Sequence, residues 1–394
     1  MKVAIYSHSF PPTVDGIAFR MSSLVRELLR TGHEVLLFTL EQCLPAFGPP
    51  ALPMPRYVTL ESIFPALYPE KRVAFPSMKN AFRIWGALRA FQPDVLHCTS
   101  DSLALTFCAI GAALGVPVGA SMHTDLDKVL RSVHAALPAL VICWGIEAAI
   151  SRLVDSCATT SVSFKEELLQ RWCRIDHVVR TGVDTAVFDP RCLGAADRDR
   201  LRCRLTFDHP DAFLVLYVGR LSPEKSIDVL VDALSQAGME AVYLALVGDG
   251  PLAGRMAALH GAHTRVYCVP EFLPHSKLAA LYAACDAHVS ASVFETFGNT
   301  VLEAQASGTP VVVPDAQGFR DTVRHGADGF LFEPGSARSL GLRVAKLRAD
   351  PRLRDEMGRA GRGKALAGLT PAAVARDYVD WYGRTIQRRI ARTT

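Results

Sequence analysis

Short runs of β-branched and aliphatic residues alternate with stretches of helical periodicity from one end of the chain to the other. This is the pattern of parallel sheets covered on both faces by helices. Residues 3–7 read as a first strand, 17–30 as the helix after it and 35–39 as the next strand, with Gly32 placed to end the helix. After a Pro-rich stretch at 45–76 the series resumes with strands at 94–98, 117–122 and 157–162 and a helix at 104–114. A polar, charge-dense segment at 191–211 carries no strand signal and predicts a boundary. Beyond it, strands at 213–218, 242–247, 265–269, 287–290 and 310–313 each precede a loop and a helix, as in a second doubly wound sheet. A last helix, at 371–392, ends on Arg384, Arg388, Arg389 and Arg392, which suits the negative end of its dipole. The fold class is therefore α/β, with one Rossmann-like domain over 1–200, a second over 201–370, and a closing helix over 371–394 that crosses back to the first.

Composition narrows the class. Of 394 residues, 49% are hydrophobic and 21% charged, enough apolar matter for two cores and too much for a disordered chain. A formal net charge of +4 over this length excludes dedicated nucleic-acid binding. The ten cysteines form no CxxC pair or zinc spacing and read as thiols in a reducing compartment. The opening Val3-Ala4-Ile5-Tyr6 is a strand, and His8 stops the run short of a secretory h-region. The most apolar stretch, 135–150, is interrupted by Pro138, Gly145 and Glu147 and falls short of the roughly 20 residues a spanning helix needs.

In open parallel sheets ligands bind beyond the carboxyl ends of the strands, so the loops there hold the candidate chemistry. Gly16 stands just before the first helix, where a residue without Cβ lets a phosphate approach the opening N–H groups, or simply makes a turn. No GxGxxG accompanies it, which argues against a nicotinamide dehydrogenase. After 213–218, Gly219-Arg220-Leu221-Ser222-Pro223-Glu224-Lys225 sets two cations before a helix; they suit a diphosphate, unless Glu224 pairs with Lys225 on a solvated loop. After 287–290, Glu295 lies in a loop and Glu303 in the first turns of the next helix, with Gly298 at the turn and Asn299 or Thr300 placed to cap. Thr300-Val301-Leu302-Glu303 also fits a capping box, in which Glu303 would only bond the Thr300 N–H. His123 ends the strand at 117–122 and is either a site residue or a structural one. Asp125 and Asp127 form a D-x-D pattern, which reads as a helix start favouring acids rather than a metal site.

Taken together, "FPPTVDGI", "SMHTD", "GVDTAVF", "YVGRLSPEKSIDVLVDAL", "LVGDGP" and "FETFGNTVLEAQASGTPVV" resemble glycosyltransferase family 4 over nearly the whole chain. The diagnostic Glu-x7-Glu is matched by Glu295 and Glu303. The resemblance implies a GT-B fold, two Rossmann-like domains facing across a cleft, and a retaining transferase that moves a sugar from a nucleoside diphosphate to a hydroxyl. It implies Gly16, Arg220, Lys225 and the segment Phe297, Gly298, Asn299 and Thr300 at the donor phosphates, Glu303 at the ribose, and Glu295 and His123 facing the transferred sugar. Arg220, Lys225, Glu295 and His123 are the implied catalytic set. Within the family, "VDGIAFRMSSLVRELLRTGHEVLLFT", "YPEKRVAFP" and "PVGASMHTDLDKVL" are similar to the sulfolipid synthase group, whose members move sulfoquinovose from UDP to diacylglycerol. Thr181 before Gly182, and Asp315-Ala316-Gln317-Gly318 in place of a Gly-Gly turn, depart from that group, and the "ETFGN" core is also similar to mannosyltransferases.

These likenesses imply a UDP-sugar in preference to a GDP-sugar, with a mannosyl- or glucosyltransferase acting on a glycolipid or glycan, or a non-catalytic sugar-nucleotide-binding subunit, as alternatives. A departing diphosphate needs no proton, so Glu295 and Glu303 need not form an acid–base dyad, and fixed cations and helix N–H groups carry the transfer. No metal cofactor is expected. A lipid acceptor would bring the protein to an anionic membrane surface through the apolar 135–150 stretch and the terminal arginines. The expected location is the cytoplasm or an organellar stroma, and the chloroplast or thylakoid if the sulfolipid likeness holds.

Overall fold

Apolar, β-branched segments pair side by side into two parallel sheets in the computed structural model, which describes residues 1–13, 15–40, 54–63, 72–101, 103–132 and 137–393. The Pro-rich stretch at 45–76 and the start of the apolar run at 135–150 lie partly outside the described residues. Contacts divide the chain into one unit of Met1–Gly182 with Pro371–Thr394 and a second of Val183–Thr370.

The first unit's sheet has seven strands in the order Arg56–Leu60, Glu34–Leu40, Lys2–Tyr6, Val95–Thr99, Val118–Met122, Ser156–Thr159 and His177–Val178. All are paired in parallel. The second unit's sheet runs Val266–Val269, Val242–Val247, Phe213–Val218, Ala287–Val289, Val311–Pro314 and Gly329–Phe332, again parallel throughout. Buried on both faces, the central strands are rich in apolar residues, with His97, Thr99, Ser121 and His288 as buried polar exceptions. In each sheet the winding reverses beside the unit's first strand. Loops leaving the two strands at that reversal diverge and leave a crevice.

Two expectations from the sequence change here. The strand expected at 157–162 stops at Thr159, because Ser161 caps the helix Val162–Gln170, its Oγ accepting the Phe164 N–H at 3.2 Å. The boundary expected at 191–211 falls instead at Gly182/Val183, and that segment holds the helix Ala195–Leu205. Arg202 ties that helix to the second unit, donating to the Ala284 and Ala212 carbonyls at 2.8 and 2.9 Å and to Asp286 at 2.9 Å. With Leu205 buried and Leu201 packed against the core, the inward arginine stands in for most of an apolar stripe, so periodicity gave little sign of the helix.

The last helix, Pro371–Thr393, packs on the first unit. Tyr378, Trp381 and Tyr382 are fully buried, and Trp381 Nε1 donates to Ser156 Oγ at 2.8 Å. A Cβ at Gly119 would stand 2.9 Å from the Trp381 ring, so the strand gives up a side chain to admit the indole. The terminal arginines are paired into this unit: Arg388 with Asp176 at 2.7 Å and Arg392 with Asp155 at 3.4 Å. They fasten the helix. On the helix Leu137–Leu153, Leu140, Ala148 and Ile150 are buried while Leu137, Val141, Ile142 and Ile146 are exposed. Among the described residues no helix is long and apolar enough to cross a membrane, and the nine described cysteines are unpaired.

The closing helix should therefore be integral to the first unit's core. Trp381→Ala leaves a large cavity on the sheet and should cost about 3–5 kcal/mol, lowering the denaturation midpoint of the first unit while the second unit's transition stays in place, as read by fluorescence-monitored unfolding.

Candidate functional site

In the second unit the winding reverses between Phe213–Val218 and Ala287–Val289, which are neighbours in the sheet. The loops leaving their carboxyl ends contain Arg220 and Lys225 on one side and Glu295 on the other. Lys225 Nζ forms an ion pair with the Glu295 carboxylate, each side chain being about a quarter exposed. Glu224 takes the other course left open by the sequence: it accepts from its neighbour Ser222 at 2.5 Å and does not pair with Lys225.

Backbone approach holds the cation loop in place. Leu221 N–H donates to the Asp249 carbonyl at 2.9 Å, Leu252 N–H to the Leu221 carbonyl at 2.8 Å, and the Tyr217 hydroxyl to the Arg220 carbonyl at 2.9 Å. Gly248, in "VGDGP", has φ +144°, and a Cβ there would lie 1.9 Å from the Gly219 carbonyl oxygen, so no side chain fits. The carboxylate loop is backed in the same way. Gly318 N–H donates to the Glu295 carbonyl at 2.8 Å, and a Cβ on Gly318 would reach within 2.5 Å of Thr296 backbone. Gln317 beside it holds φ +39°, in the left-handed region that favours glycine.

The helix Asn299–Ala306 starts at Gly298, whose φ is +89° and where a Cβ would meet the Phe319 ring at 2.7 Å. Neither Asn299 nor Thr300 caps this helix, contrary to the expectation from sequence. Its opening N–H groups are thus not spent on a side-chain cap, the condition for an anion site at a helix start. Phe297 is a core residue, 5% exposed, so only its backbone belongs to the loop surface.

Glu303 does not close a capping box. It lies buried within the helix and accepts from the Tyr282 hydroxyl at 3.0 Å. Burial lifts its carboxyl to about 7, with the Tyr282 hydrogen bond pulling the other way. Tyr282 comes from the helix His275–Ala284, and nothing in the sequence marks it as Glu303's partner.

In the first unit, Gly16 opens the helix Gly16–Arg30, but Asp15 already caps it. Its Oδ1 accepts the Ile17 and Ala18 N–H groups at 3.0 and 2.8 Å, so those two donors are spent internally. At this sheet's reversal Asp101 accepts from the Tyr6 hydroxyl at 2.6 Å and faces His8 Nδ1 at 3.1 Å. His123, just past Val118–Met122, is partly exposed. Its Nδ1 meets Arg20 Nη1 at 2.8 Å and its Nε2 meets Ser121 Oγ at 2.7 Å. Desolvation first, then the Arg20 charge and the nearby His97 and His8 rings, hold its pKa well below the ordinary value. Arg20, Ser121 and His97 escaped the sequence reading. Ser121 and His123 at strand spacing, hence on one face, was the available signal.

Asp125 and Asp127 are occupied structurally. Asp125 accepts from Arg171 at 2.7 Å and pairs with Lys128 at 3.2 Å. Asp127 pairs with Arg131 at 3.0 Å and accepts from Trp144 Nε1 at 3.1 Å. Among the described residues no group of three or more His, Cys, Asp and Glu side chains is placed to hold a metal ion.

Comparison with known proteins bears on the family and the fold. Residues 14–187 match the family described as Glycosyltransferase Family 4, and residues 203–364 match Glycosyl transferases group 1. A GDP-mannose-dependent alpha-mannosyltransferase of Mycolicibacterium smegmatis is 33% identical over 397 residues, covering all of both chains. A sulfoquinovosyl transferase of Arabidopsis thaliana is 28% identical over 92% of this chain and 69% of its own. Among solved structures, sucrose-phosphate synthase from Thermosynechococcus elongatus superposes with a TM-score of 0.75 at 23% identity, covering 97% of this chain and 98% of that one, a likeness of fold. Two Rossmann-like halves of parallel sheet, each matched in sequence, and full-length similarity to a named transferase lead to one conclusion: the chain belongs to glycosyltransferase family 4, has the GT-B fold, and is a hexosyltransferase that uses a nucleotide sugar.

Proposed function

We propose that the protein is a retaining mannosyltransferase that moves mannose from GDP-mannose to the hydroxyl of a lipid or glycan acceptor. The observation that carries the transferase chemistry is the Lys225–Glu295 pair at the reversal of the second sheet, beside a helix start with no side-chain cap. Arg220, Lys225 and the N–H groups of residues 298–300 take the diphosphate, Glu303 the ribose, and Glu295 and His123 face the transferred sugar. A partly exposed ion pair is worth only ~0–1 kcal/mol, whereas each charge-assisted hydrogen bond to a phosphate contributes about 1.5–3 kcal/mol. The diphosphate therefore displaces Glu295 from Lys225 at small cost, and the released carboxylate turns to the sugar hydroxyls. Bond breaking then gathers negative charge on oxygens that fixed cations already surround.

Mannose rests on the full-length likeness to the mycobacterial mannosyltransferase, in preference to the UDP-sulfoquinovose donor expected from the sequence. Sulfoquinovose is the second reading. It is favoured by the likeness to the Arabidopsis enzyme and by the buried Arg20 guanidinium, 2.8 Å from His123, where a sulfonate-bearing sugar would find a cation. The exposed apolar positions Leu137, Val141, Ile142 and Ile146 favour a lipid over a free glycan as acceptor.

Three outcomes follow. Offered GDP-mannose, UDP-glucose and UDP-sulfoquinovose in turn, with diacylglycerol or a glycolipid in anionic vesicles or with a free glycan, the protein should release nucleotide and glycosylate lipid with GDP-mannose; lipid product from UDP-sulfoquinovose alone would move the second reading to first place. Glu295→Gln removes the carboxylate that competes for Lys225, so calorimetry should find GDP bound up to about fivefold more tightly, while transfer slows about tenfold or more. Tighter binding without slower transfer would exclude Glu295 from the sugar site.

The third outcome concerns pH. Glu303 titrates at about 7 when folded against an ordinary 4.5. The folded value is the higher one, so the protonated carboxyl stabilises the fold at low pH, and that contribution fades as pH rises through the folded value. The Tm of the donor-free protein should thus fall more steeply between about pH 5 and 8 than that of Glu303→Gln. Parallel Tm profiles would contradict a buried, neutral Glu303.

A further inference from the structure

His123 meets a protein group at each ring nitrogen, and the two partners differ in what they can do. A guanidinium only donates hydrogen bonds, so Arg20 Nη1, 2.8 Å from Nδ1, requires Nδ1 to be the acceptor. A neutral imidazole that accepts at Nδ1 carries its proton at Nε2. Nε2–H then donates to Ser121 Oγ at 2.7 Å. The Ser121 hydroxyl is in turn 2.7 Å from His97 Nε2, and His97 Nδ1 is 2.8 Å from the Tyr382 hydroxyl. One set of proton positions serves the row: His123 donates to Ser121, Ser121 to His97, and His97 to Tyr382. Ser121, His97 and Tyr382 are all buried, Tyr382 on the closing helix and His97 on the strand Val95–Thr99. Tyr378 and Trp381 also flank the His97 ring, with centroids 5.6 and 5.1 Å away. This row lies wholly within the first unit.

We propose that Arg20 and Ser121 are positioning residues that hold His123 as a neutral imidazole with its proton on Nε2, with His97 and Tyr382 holding Ser121 from behind. Both nitrogens are then committed to the protein, and His123 meets the sugar as an oriented, uncharged ring and backbone rather than as an acid, a base or a cation. Protonating it would put a proton on Nδ1 against the Arg20 guanidinium, with His8 and His97 as the other titratable rings nearby. The closing helix thereby reaches the chemistry: it comes from the far end of the chain to hold Ser121 through His97. The role in transfer rests on the proposed function, in which His123 faces the sugar; the state of the ring does not.

Nitrogen-15 NMR of histidine-labelled full-length protein without donor reads the ring directly, with His123→Asn to assign its signals. The His123 signals should show the Nε2–H tautomer and no titration between about pH 5.5 and 8. Arg20→Met, which keeps length and removes the donor, should release the tautomer, the Nδ1–H form appearing beside Nε2–H, and should lower kcat about tenfold with the donor KM within about twofold. Ser121→Ala should lower kcat in the same way. A wild-type His123 that titrates in this window, or carries its proton on Nδ1, overturns the proposal without recourse to any variant or to an activity assay. A locked ring together with unchanged kcat in Arg20→Met overturns its role in transfer.

Discussion

The ion pair between Lys225 and Glu295 exists because the second sheet reverses its winding between Phe213–Val218 and Ala287–Val289. Without that reversal the two loops would follow one another along the same side of the sheet. With it, residues 70 apart in sequence become neighbours at the carboxyl edge. The rest of the second unit's site is fitted round this edge. Gly248 lets the cation loop be buttressed by the next loop along, Gly318 does the same for the carboxylate loop, and Gly298 turns the chain into a helix that opens without a side-chain cap. Each of the three is a position where a Cβ would strike backbone or a ring. What they secure is the placement of positive charge and N–H groups before any ligand arrives, the preorganisation that the proposed diphosphate site requires.

The two units share a winding but use it differently. In the second, the helix after the reversal keeps its first N–H groups clear of side chains; in the first, Asp15 takes the Ile17 and Ala18 N–H groups for itself. An anion approaching Gly16 would meet a carboxylate already in place. The first unit's distinctive polar feature is the row that runs from the closing helix through the sheet to His123. Burying so many polar groups is costly unless each finds a partner, and the buried tyrosine, histidine and serine of this row do so in sequence. The arginines at the end of that helix serve the same attachment, paired with Asp155 and Asp176.

Much of this was legible in the sequence where the signal is periodic. The strands Phe213–Val218 and Val242–Val247 have the bounds that their apolar runs predict, and the alternation of strands and helices gives the fold class. Periodicity failed where a polar side chain replaces an apolar one. Ser161 ends a strand by capping the next helix, and Arg202 anchors a helix in the charge-dense segment where a boundary was expected. In the site, Glu295 and Glu303 could be named from their spacing, but not what they touch. Glu224 was the nearer partner for Lys225 in sequence, yet it bonds Ser222; Thr300 was in reach of Glu303, yet Tyr282 holds it. Local spacing offers candidate partners, and the crossing of the sheet chooses among them.

The account stands on the second unit's edge being the diphosphate site, and a crystal structure with a bound nucleoside diphosphate tests that most directly. The diphosphate oxygens should lie within hydrogen-bond distance of Lys225 Nζ and of N–H groups at residues 298–300, with Glu303 on the ribose and Glu295 released from Lys225. A nucleotide bound away from these residues, with the Lys225–Glu295 pair intact, would contradict it.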